Sequence, residues 1–379
     1  MASEQKVQIH RGLRDVLIDR TRSSFIDGDV GKLLYRGYNI DDLATQSTFE
    51  ETIYLLLYGE LPTQEELEAF DSELKANRAL PEEVLDVISI TQKAHPMDVL
   101  RTAVSALSAF DPDTEDNSPE ATLRKGIRLT AQASTIVAAH ARIREGKQPV
   151  SPNSSLSHAG NFLYMLFGEE PDPRDAKLMD KDFILHAEHG INASSFGARV
   201  TASTQADLHC AVTTGVGVLK GPSHGGAAEE VMKMALEIGD ESNAADYVAD
   251  LRSKGGRVMG FGHRVYKAVD PRSIHLMDDA RDLGIRKGQP GWYSILEAVA
   301  KVMEPYSRRG ICQNVDFFSG AIYYLLDIPE DLFISIFAMG RIPGWTVQVM
   351  EQFDNNILLR PRLLYVGDMD VEYVPIDQR

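Results

Sequence analysis

Apolar side chains recur at every third or fourth position along most of this chain, which is the spacing of one face of an α-helix. Such faces lie around residues 49–57, 84–88, 99–107, 127–143, 162–167, 183–200, 231–238, 295–303 and 333–339. Strand patterns do not alternate with these helices, so a parallel sheet is not expected. The periodicity therefore predicts an all-α protein.

Local signals mark the ends of several elements. Gly59 supplies a stop for the first of these helices, and Thr63 with Glu66 has the spacing of a capping box that opens the next one. Near the N-terminus, two apolar runs flank Asp27-Gly28-Asp29. Because this is a turn sequence between two strand-like runs, we expect a short β hairpin within residues 12–45.

The composition narrows the classes of function. With 379 residues, the chain is long enough for two domains. Its 39 basic and 56 acidic residues give a net charge of −17, the wrong sign for a nucleic-acid binder. We recognise no export leader and no uninterrupted apolar span, and the two cysteines, Cys210 and Cys312, form no disulfide framework. We therefore expect a cytoplasmic protein without a membrane segment.

One segment is basic, although the chain as a whole is acidic. Residues 251–272 carry six basic residues against one acidic residue, a net charge of +5. Within it, His263 follows glycines that let a ligand approach the backbone closely, and Arg264, Lys267 and Arg272 come next. A local positive potential of this kind is what an anionic ligand needs near an acidic protein. The segment is therefore a candidate anion-binding loop.

A second histidine stands at a predicted helix start. His224 lies between Pro222-Ser223 and a Gly-Gly pair, just ahead of the helix predicted over residues 231–238. Positive potential at a helix N-terminus disfavours the imidazolium, so a neutral ring there can donate an N–H to a developing oxyanion. The alternative is a histidine that only caps the helix within a tight turn.

Asp316 is the candidate base. It stands among Val315, Phe317 and Phe318, whose apolar side chains would raise the pKa of its carboxyl towards that of a useful base. The alternative is an aspartate that caps a helix beginning near Ser319.

His186 and His189 are three residues apart, a spacing that would place both rings on one helix face. A zinc site would use that spacing, but no carboxylate lies at a matching turn. The alternative that needs no ligand is a pair of core histidines.

Together these groups specify a reaction class. A carboxylate base, two histidine donors and a basic, glycine-lined loop suit proton abstraction α to a carbonyl, followed by carbon–carbon bond formation on an anionic partner.

Two alternative interpretations assign the chain to other classes of protein. A nicotinamide-dependent dehydrogenase would use Gly215, Gly217 and Gly221 with Asp240, although no strand pattern precedes these glycines. A non-catalytic helical scaffold would need only the acidic, helix-rich composition.

Seven motifs resemble, in order and over nearly the whole chain, those of the citrate synthase family in its shorter bacterial form, which includes 2-methylcitrate synthases. They are DGDVGKLLYRGYNIDDLA, HAEHGINAS, GPSHGGA, GFGHRVYKAVDPR, NVDFFSG, GRIPGW and RPRLLYVG. The resemblance implies a large helical domain of residues 1–226 and 327–379 and a small domain of residues 227–326, with closure between them. One departure is Cys312-Gln313, where many relatives have Tyr-Pro ahead of Asn-Val-Asp.

The resemblance also implies roles for individual residues. Asp316 would take a proton from acetyl-CoA or propionyl-CoA, His224 would stabilise the enol, and His263 would polarise the oxaloacetate carbonyl. Oxaloacetate binding is implied for His189, Arg272 and Arg341, with Arg360 supplied across the interface of a homodimer. CoA contacts are implied for Val258, Met259, Gly260, Phe261, Gly262, Arg264 and Lys267.

No metal and no permanently bound cofactor is implied, since the acyl-CoA is a cosubstrate. One methylene in an apolar pocket changes binding by only about 1–3 kcal/mol, so we expect activity with both thioesters. The alternative is a dedicated 2-methylcitrate synthase.

Overall fold

The structure is a computed structural model that describes residues 8–13 and 16–379. Within these residues the chain forms sixteen α-helices and three short strands. The helices are α1 (Ile40–Gln46), α2 (Phe49–Tyr58), α3 (Gln64–Ala76), α4 (Glu82–Ile90), α5 (Pro96–Leu107), α6 (Pro119–Ile143), α7 (His158–Phe167), α8 (Pro173–His186), α9 (Ala193–Ser203), α10 (Leu208–Leu219), α11 (Ala227–Ile238), α12 (Ala244–Ser253), α13 (Pro271–Arg286), α14 (Gly291–Met303), α15 (Asp316–Leu325) and α16 (Phe333–Asp354).

The strands form the predicted hairpin. Strand β1 (Ser24–Asp27) pairs antiparallel with β2 (Lys32–Tyr35), and the predicted turn joins them. A third strand, β3 (Tyr38–Asn39), pairs with β2 and is too short for a sequence pattern to reveal. The prediction of an all-α fold with a short N-terminal β hairpin is confirmed.

The predicted helix signals have their expected geometry. Gly59 ends α2 in the left-handed region, at φ 94°. Thr63 and Glu66 form a reciprocal capping box, in which each side chain accepts a hydrogen bond from the backbone of the other residue. Helix α11 ends at Ile238, the last residue of the predicted face, and Gly239 caps it.

Helix α16 is the centre of the core. It packs against α6, α8, α9 and α10, and nearly all its side chains are buried. By length and composition alone the segment Glu330–Asp354 could cross a membrane, but 94% of its apolar window is buried inside the protein, as in a core helix. Gly126 of α6 permits this packing, because a methyl group there would lie 2.3 Å from the Thr346 side chain.

One predicted helix is wrong. The apolar pattern of residues 183–200 suggested a continuous helix, but α8 ends at His186 and α9 begins at Ala193. Gly190 adopts φ 58° between them, and the Asn192 side chain accepts hydrogen bonds from the N–H groups of Ser194 and Ser195 in the first turn of α9. The capping asparagine therefore overrides the periodicity.

Helices α11 to α15 pack mainly on one another and contact α1, α8 and α16. Closure of residues 227–326 on the rest of the chain stays a prediction.

Gly215 of α10 faces the central helix, and a methyl group there would lie 2.9 Å from the Trp345 ring. We expect Gly215→Ala to lower the free energy of unfolding by about 1–3 kcal/mol, because a stiff ring in a packed core must shift. Gly217→Ala, two residues along the same helix, is the matched control, since its nearest new neighbour would be 3.7 Å away. The control should gain up to about 1 kcal/mol of helix propensity. Urea unfolding of both variants checks this, and equal effects would contradict it.

Candidate active site

One cavity of about 1060 Å³ brings together residues that are far apart in the sequence. Its lining includes the three predicted catalytic residues, three of the four predicted oxaloacetate-binding residues and all the predicted CoA-binding residues. These are His224, His263 and Asp316, then His189, Arg272 and Arg341, and then Val258, Met259, Gly260, Phe261, Gly262, Arg264 and Lys267. Arg360 is different, since it lies in an exposed segment and does not line the cavity of its own chain.

The break between α8 and α9 forms one wall of the cavity. His186 is the last residue of α8 and its Nδ1 contacts the Asp182 carbonyl oxygen at 2.8 Å, whereas the Nε2 of His189 contacts the Tyr266 hydroxyl at 3.1 Å. The two rings therefore do not share a helix face, and the spacing argument for zinc is wrong. Within the described residues, no group of three or more His, Cys, Asp or Glu side chains is placed to hold a metal ion.

His224 lies in the tight turn before α11, three residues ahead of its first residue. The Ser194 backbone N–H donates to its Nε2 at 3.3 Å, so the neutral ring carries its proton on Nδ1. Burial, together with the charge of Arg341, lowers the pKa of His224 to about 4. The ring is thus neutral near pH 7, and burial and an arginine are causes that the sequence did not reveal; the effect of the helix end stays a prediction.

His263 has its tautomer set by the backbone. Its Nδ1 accepts hydrogen bonds from the N–H groups of Val265 (3.0 Å) and Tyr266 (3.1 Å). A neutral ring with Nδ1 occupied as an acceptor carries its proton on Nε2. Burial, with the charge of Arg272, lowers the pKa of His263 to about 4. His263 is therefore an Nε2–H donor near pH 7.

Asp316 is the first residue of α15 and does not cap it. Instead, its backbone N–H donates to the Oδ1 atom of Asn314 at 3.1 Å, so the capping alternative is wrong. Burial raises the pKa of Asp316 to about 6, while His186 and Arg272 act in the opposite direction. A carboxyl in that range is ionised near pH 7 and basic enough to accept a proton.

Two buried arginines supply positive charge. Arg272 makes a bidentate ion pair with Asp270, through Nε at 3.0 Å and Nη2 at 2.7 Å. Arg341 donates from Nε to the His186 carbonyl oxygen at 2.5 Å, but its buried Nη2 has no partner among the described residues. A buried guanidinium nitrogen without a partner is costly, so Arg341 is poised to bind an anion.

Glu188 stands behind these arginines and was missed from the sequence. It is fully buried, and burial raises the pKa of its carboxyl to about 7, against the charge of Arg341. Its Oε1 accepts hydrogen bonds from Ser24 (3.0 Å) and Gln348 (2.8 Å). Glu188 therefore balances part of the buried positive charge.

Ser194 and Trp345 were also missed, although both lie in the quoted motifs. The Nε1–H of Trp345 donates to the Ser194 Oγ at 3.1 Å, and Ser194 in turn contacts His224. Only the fold brings these residues together, so spacing alone gave no signal.

Residues 257–263 form the glycine loop, which borders the cavity beside α15. Gly260 adopts φ 76°, and a methyl group there would lie 2.6 Å from the Phe317 ring. Only glycine therefore fits at this position. Beyond the loop, Arg264 donates to the Gly12 carbonyl oxygen and Lys267 pairs with Asp29 at 2.7 Å.

The glycines of the dehydrogenase alternative have another role. Gly215 and Gly217 lie inside α10 and not in a turn between a strand and a helix. The dinucleotide-binding interpretation is therefore wrong.

An ionised carboxyl of raised pKa, neutral imidazoles and buried arginines in one cavity are the parts of an acid–base enzyme for an anionic substrate. The family model described as citrate synthase, C-terminal domain, matches residues 12–362, and the chain belongs to the citrate synthase family.

Individual relatives match over almost the full length. A citrate synthase from Haloferax volcanii is 46% identical over 98% of this chain and 99% of its own. A 2-methylcitrate synthase from Corynebacterium glutamicum is 41% identical over 98% and 99%. A citrate synthase from Thermoplasma acidophilum, solved as a ternary complex with carboxymethyl coenzyme A and oxaloacetate, matches with a TM-score of 0.94 and 32% identity, covering 98% of this chain and 100% of that one.

The two donor histidines should be neutral, with opposite tautomers. At about pH 6.5, near the unperturbed pKa of histidine, we expect His263 to carry its proton on Nε2 and His224 on Nδ1. The ¹⁵N chemical shifts of the ring nitrogens measure this, and His263→Gln and His224→Gln variants assign the signals. A protonated ring, or the same tautomer in both, would contradict the geometry described above.

Proposed function

We propose that this protein condenses acetyl-CoA with oxaloacetate and water to give citrate and free CoA. The observation that carries the proposal is the meeting, in one cavity, of a carboxyl of raised pKa with two neutral imidazole donors and two buried arginines. Membership of the citrate synthase family supports it.

Asp316 begins the reaction by removing a proton from the methyl group of acetyl-CoA. The Nδ1–H of His224 donates a hydrogen bond to the thioester oxygen and stabilises the enolate that forms. A neutral donor suits this step, because an imidazolium in the same place would protonate the oxygen outright and leave a less reactive carbon. Its low pKa keeps His224 in the neutral form.

The enolate carbon then attacks the ketone carbon of oxaloacetate. The Nε2–H of His263 polarises that ketone and gives its proton to the new alkoxide, which forms citryl-CoA. Water then cleaves the thioester, so that citrate and the CoA thiol leave. Arg272, Arg341 and His189 hold the oxaloacetate carboxylates throughout, since guanidinium groups bind carboxylates through paired hydrogen bonds.

Propionyl-CoA is proposed as a second substrate, giving 2-methylcitrate. It differs from acetyl-CoA by one methylene, and an apolar pocket separates such substrates by only about 1–3 kcal/mol. Relatives with both names match this chain at similar identity.

Release of CoA thiol on mixing the acyl-CoA with oxaloacetate tests the proposal. We expect turnover of both thioesters, with no change in nicotinamide absorbance. No thiol release from acetyl-CoA would refute the main activity, and no release from propionyl-CoA would remove the second substrate.

Asp316→Asn should lower kcat by about 10²- to 10⁴-fold while oxaloacetate still binds, because an amide keeps the shape but accepts no proton. In the wild type, kcat/KM should fall about tenfold per pH unit below about pH 6, as Asp316 becomes protonated. His224 and His263, with pKa values of about 4, stay neutral over most of that range. Stopped assays across the pH range measure both effects, and undiminished turnover by the variant would exclude Asp316 as the base.

A two-fold homodimer is also proposed, with Arg360 completing the oxaloacetate site of the partner. After α16, the chain forms no helix or strand until a single turn at Ile376–Gln378. It exposes many apolar side chains, with Leu363 98% and Val366 88% exposed. A chain segment of this kind is suited to lie on a neighbouring subunit.

Mixed dimers test this arrangement. Asp316→Asn and Arg360→Leu should each be nearly inactive alone but complement when unfolded, mixed and refolded together. A mixed dimer then holds one site with both defects and one with neither, so random pairing should restore about a quarter of wild-type activity. A tag on one chain confirms that mixed dimers form. If they form without activity, Arg360 does not act across the interface.

A further inference from the structure

The loop that carries the base is bonded to the glycine loop like a short piece of sheet. We call residues 310–315 the base loop. The Gly262 N–H donates to the Cys312 carbonyl oxygen at 2.7 Å, and the Asn314 N–H donates to the Gly260 carbonyl oxygen at 3.0 Å. Phe261 and Gln313 stand opposite each other in an antiparallel bridge. None of these bonds uses the Gln313 N–H, so glutamine in place of the proline of many relatives leaves the pairing intact.

The side chain of Asn314 adds a second connection at the same place. Its Oδ1 accepts the Asp316 backbone N–H at 3.1 Å, and its Nδ2 donates to the Gly262 carbonyl oxygen at 3.1 Å. The side chain is largely buried, in a residue only 8% exposed. One planar amide therefore joins the backbone of the base to the peptide bond that precedes His263.

This connection matters because the two backbone bonds described above are the only other hydrogen bonds that join the glycine loop to the base loop among the described residues. Gly260 and Gly262 both adopt positive φ, at 76° and 84°, and glycine restricts its own backbone less than any other residue. A loop of this kind keeps one shape only if bonds from outside fix it.

We propose that Asn314 is a positioning residue, which sets the distance between the base Asp316 and the electrophilic donor His263 by bonding to both backbones at once. The inference rests on the proposed function. Both bonds require an amide, because one atom must accept and the other must donate. Asn314 also lines the cavity, but both polar atoms of its amide are bonded to backbone groups, so it acts through the two residues that it holds.

Aspartate separates this role from simple helix capping. Asparagine and aspartate cap helices about equally well, so Asn314→Asp keeps the bond to the Asp316 N–H. It loses the donor to the Gly262 carbonyl oxygen and places two oxygens against each other there. Asn314→Ala loses both bonds. Gln313→Ala is the matched control, since the Gln313 side chain makes no hydrogen bond with the described residues.

The experiment measures CoA release by the wild type and the three variants at about pH 8, well above the pKa of Asp316, so that an altered pKa does not mimic a lost position. We expect kcat of Asn314→Asp and Asn314→Ala to fall about 10- to 100-fold, the size of effect produced by a misplacement of about 1 Å. The KM for oxaloacetate should change less than about twofold, because the arginines that bind it keep their bonds. The control should match the wild type.

A deuterium isotope effect identifies the impaired step. With CD₃-labelled acetyl-CoA, the ratio of kcat for the light and heavy thioesters should rise in both Asn314 variants, because proton abstraction becomes slower than the later steps. A merely structural loss would lower the amount of active enzyme and leave this ratio unchanged. Thermal unfolding of each variant provides the fraction folded.

Two results would overturn the inference while the proposed function stands. One is an active wild type with Asn314→Asp equal to it, which reduces Asn314 to a helix cap. The other is lower activity in both variants with an unchanged isotope ratio. A wild type that releases no CoA would instead overturn the proposed function, and the inference with it.

Discussion

The buried guanidinium of Arg341 is the charge around which the site is arranged. Burial lowers its pKa to about 10, so it remains charged near pH 7 in the core of the protein. Its field helps keep His224 neutral, and it is the largest of the influences that act against the raised pKa of the fully buried Glu188 carboxyl. Removing either charge alone would leave the other uncompensated in a medium of low dielectric.

The central helix makes this charge possible. An arginine can be held away from water only where many apolar contacts offset its cost, and α16 is packed on several sides by other helices. Residues of the break between α8 and α9 line the same cavity as this guanidinium. The helix at the centre of the core therefore also carries Arg341, a charged residue of the candidate site.

Much of the fold could be predicted because most helices here have one apolar face and one polar face. Helix α10 escaped prediction because it is apolar nearly all round, and a helix without a polar face shows no period. The break at residues 187–192 escaped because its apolar residues continue the helical spacing, whereas the cap at Asn192 acts through a single side chain. Periodicity records which residues are buried but not which bonds end an element.

For the candidate site, too, the sequence revealed some residues and left other properties to the fold. His224, His263 and Asp316 stood out because each lies in an unusual local sequence. The tautomer of His263 depends on two backbone N–H groups, and the partners of Glu188 come from β1 and α16. The tautomer of His263 and the partners of Glu188 depend on how the folded chain is arranged, so the amino-acid sequence alone does not reveal them.

Arg341 and Trp345 are one turn apart on α16, and they contact different parts of the site: Arg341 lines the cavity, whereas Trp345 lies buried behind it. The arginine faces the site proposed for the dicarboxylate, while the tryptophan supports, through Ser194, the histidine proposed for the thioester. Because α16 carries both side chains, a change in the position of this helix that affects the contacts of one ligand also affects those of the other. A substitution in this helix is therefore expected to change the handling of both ligands together, whereas a substitution in the glycine loop, on another element, can act on one ligand alone.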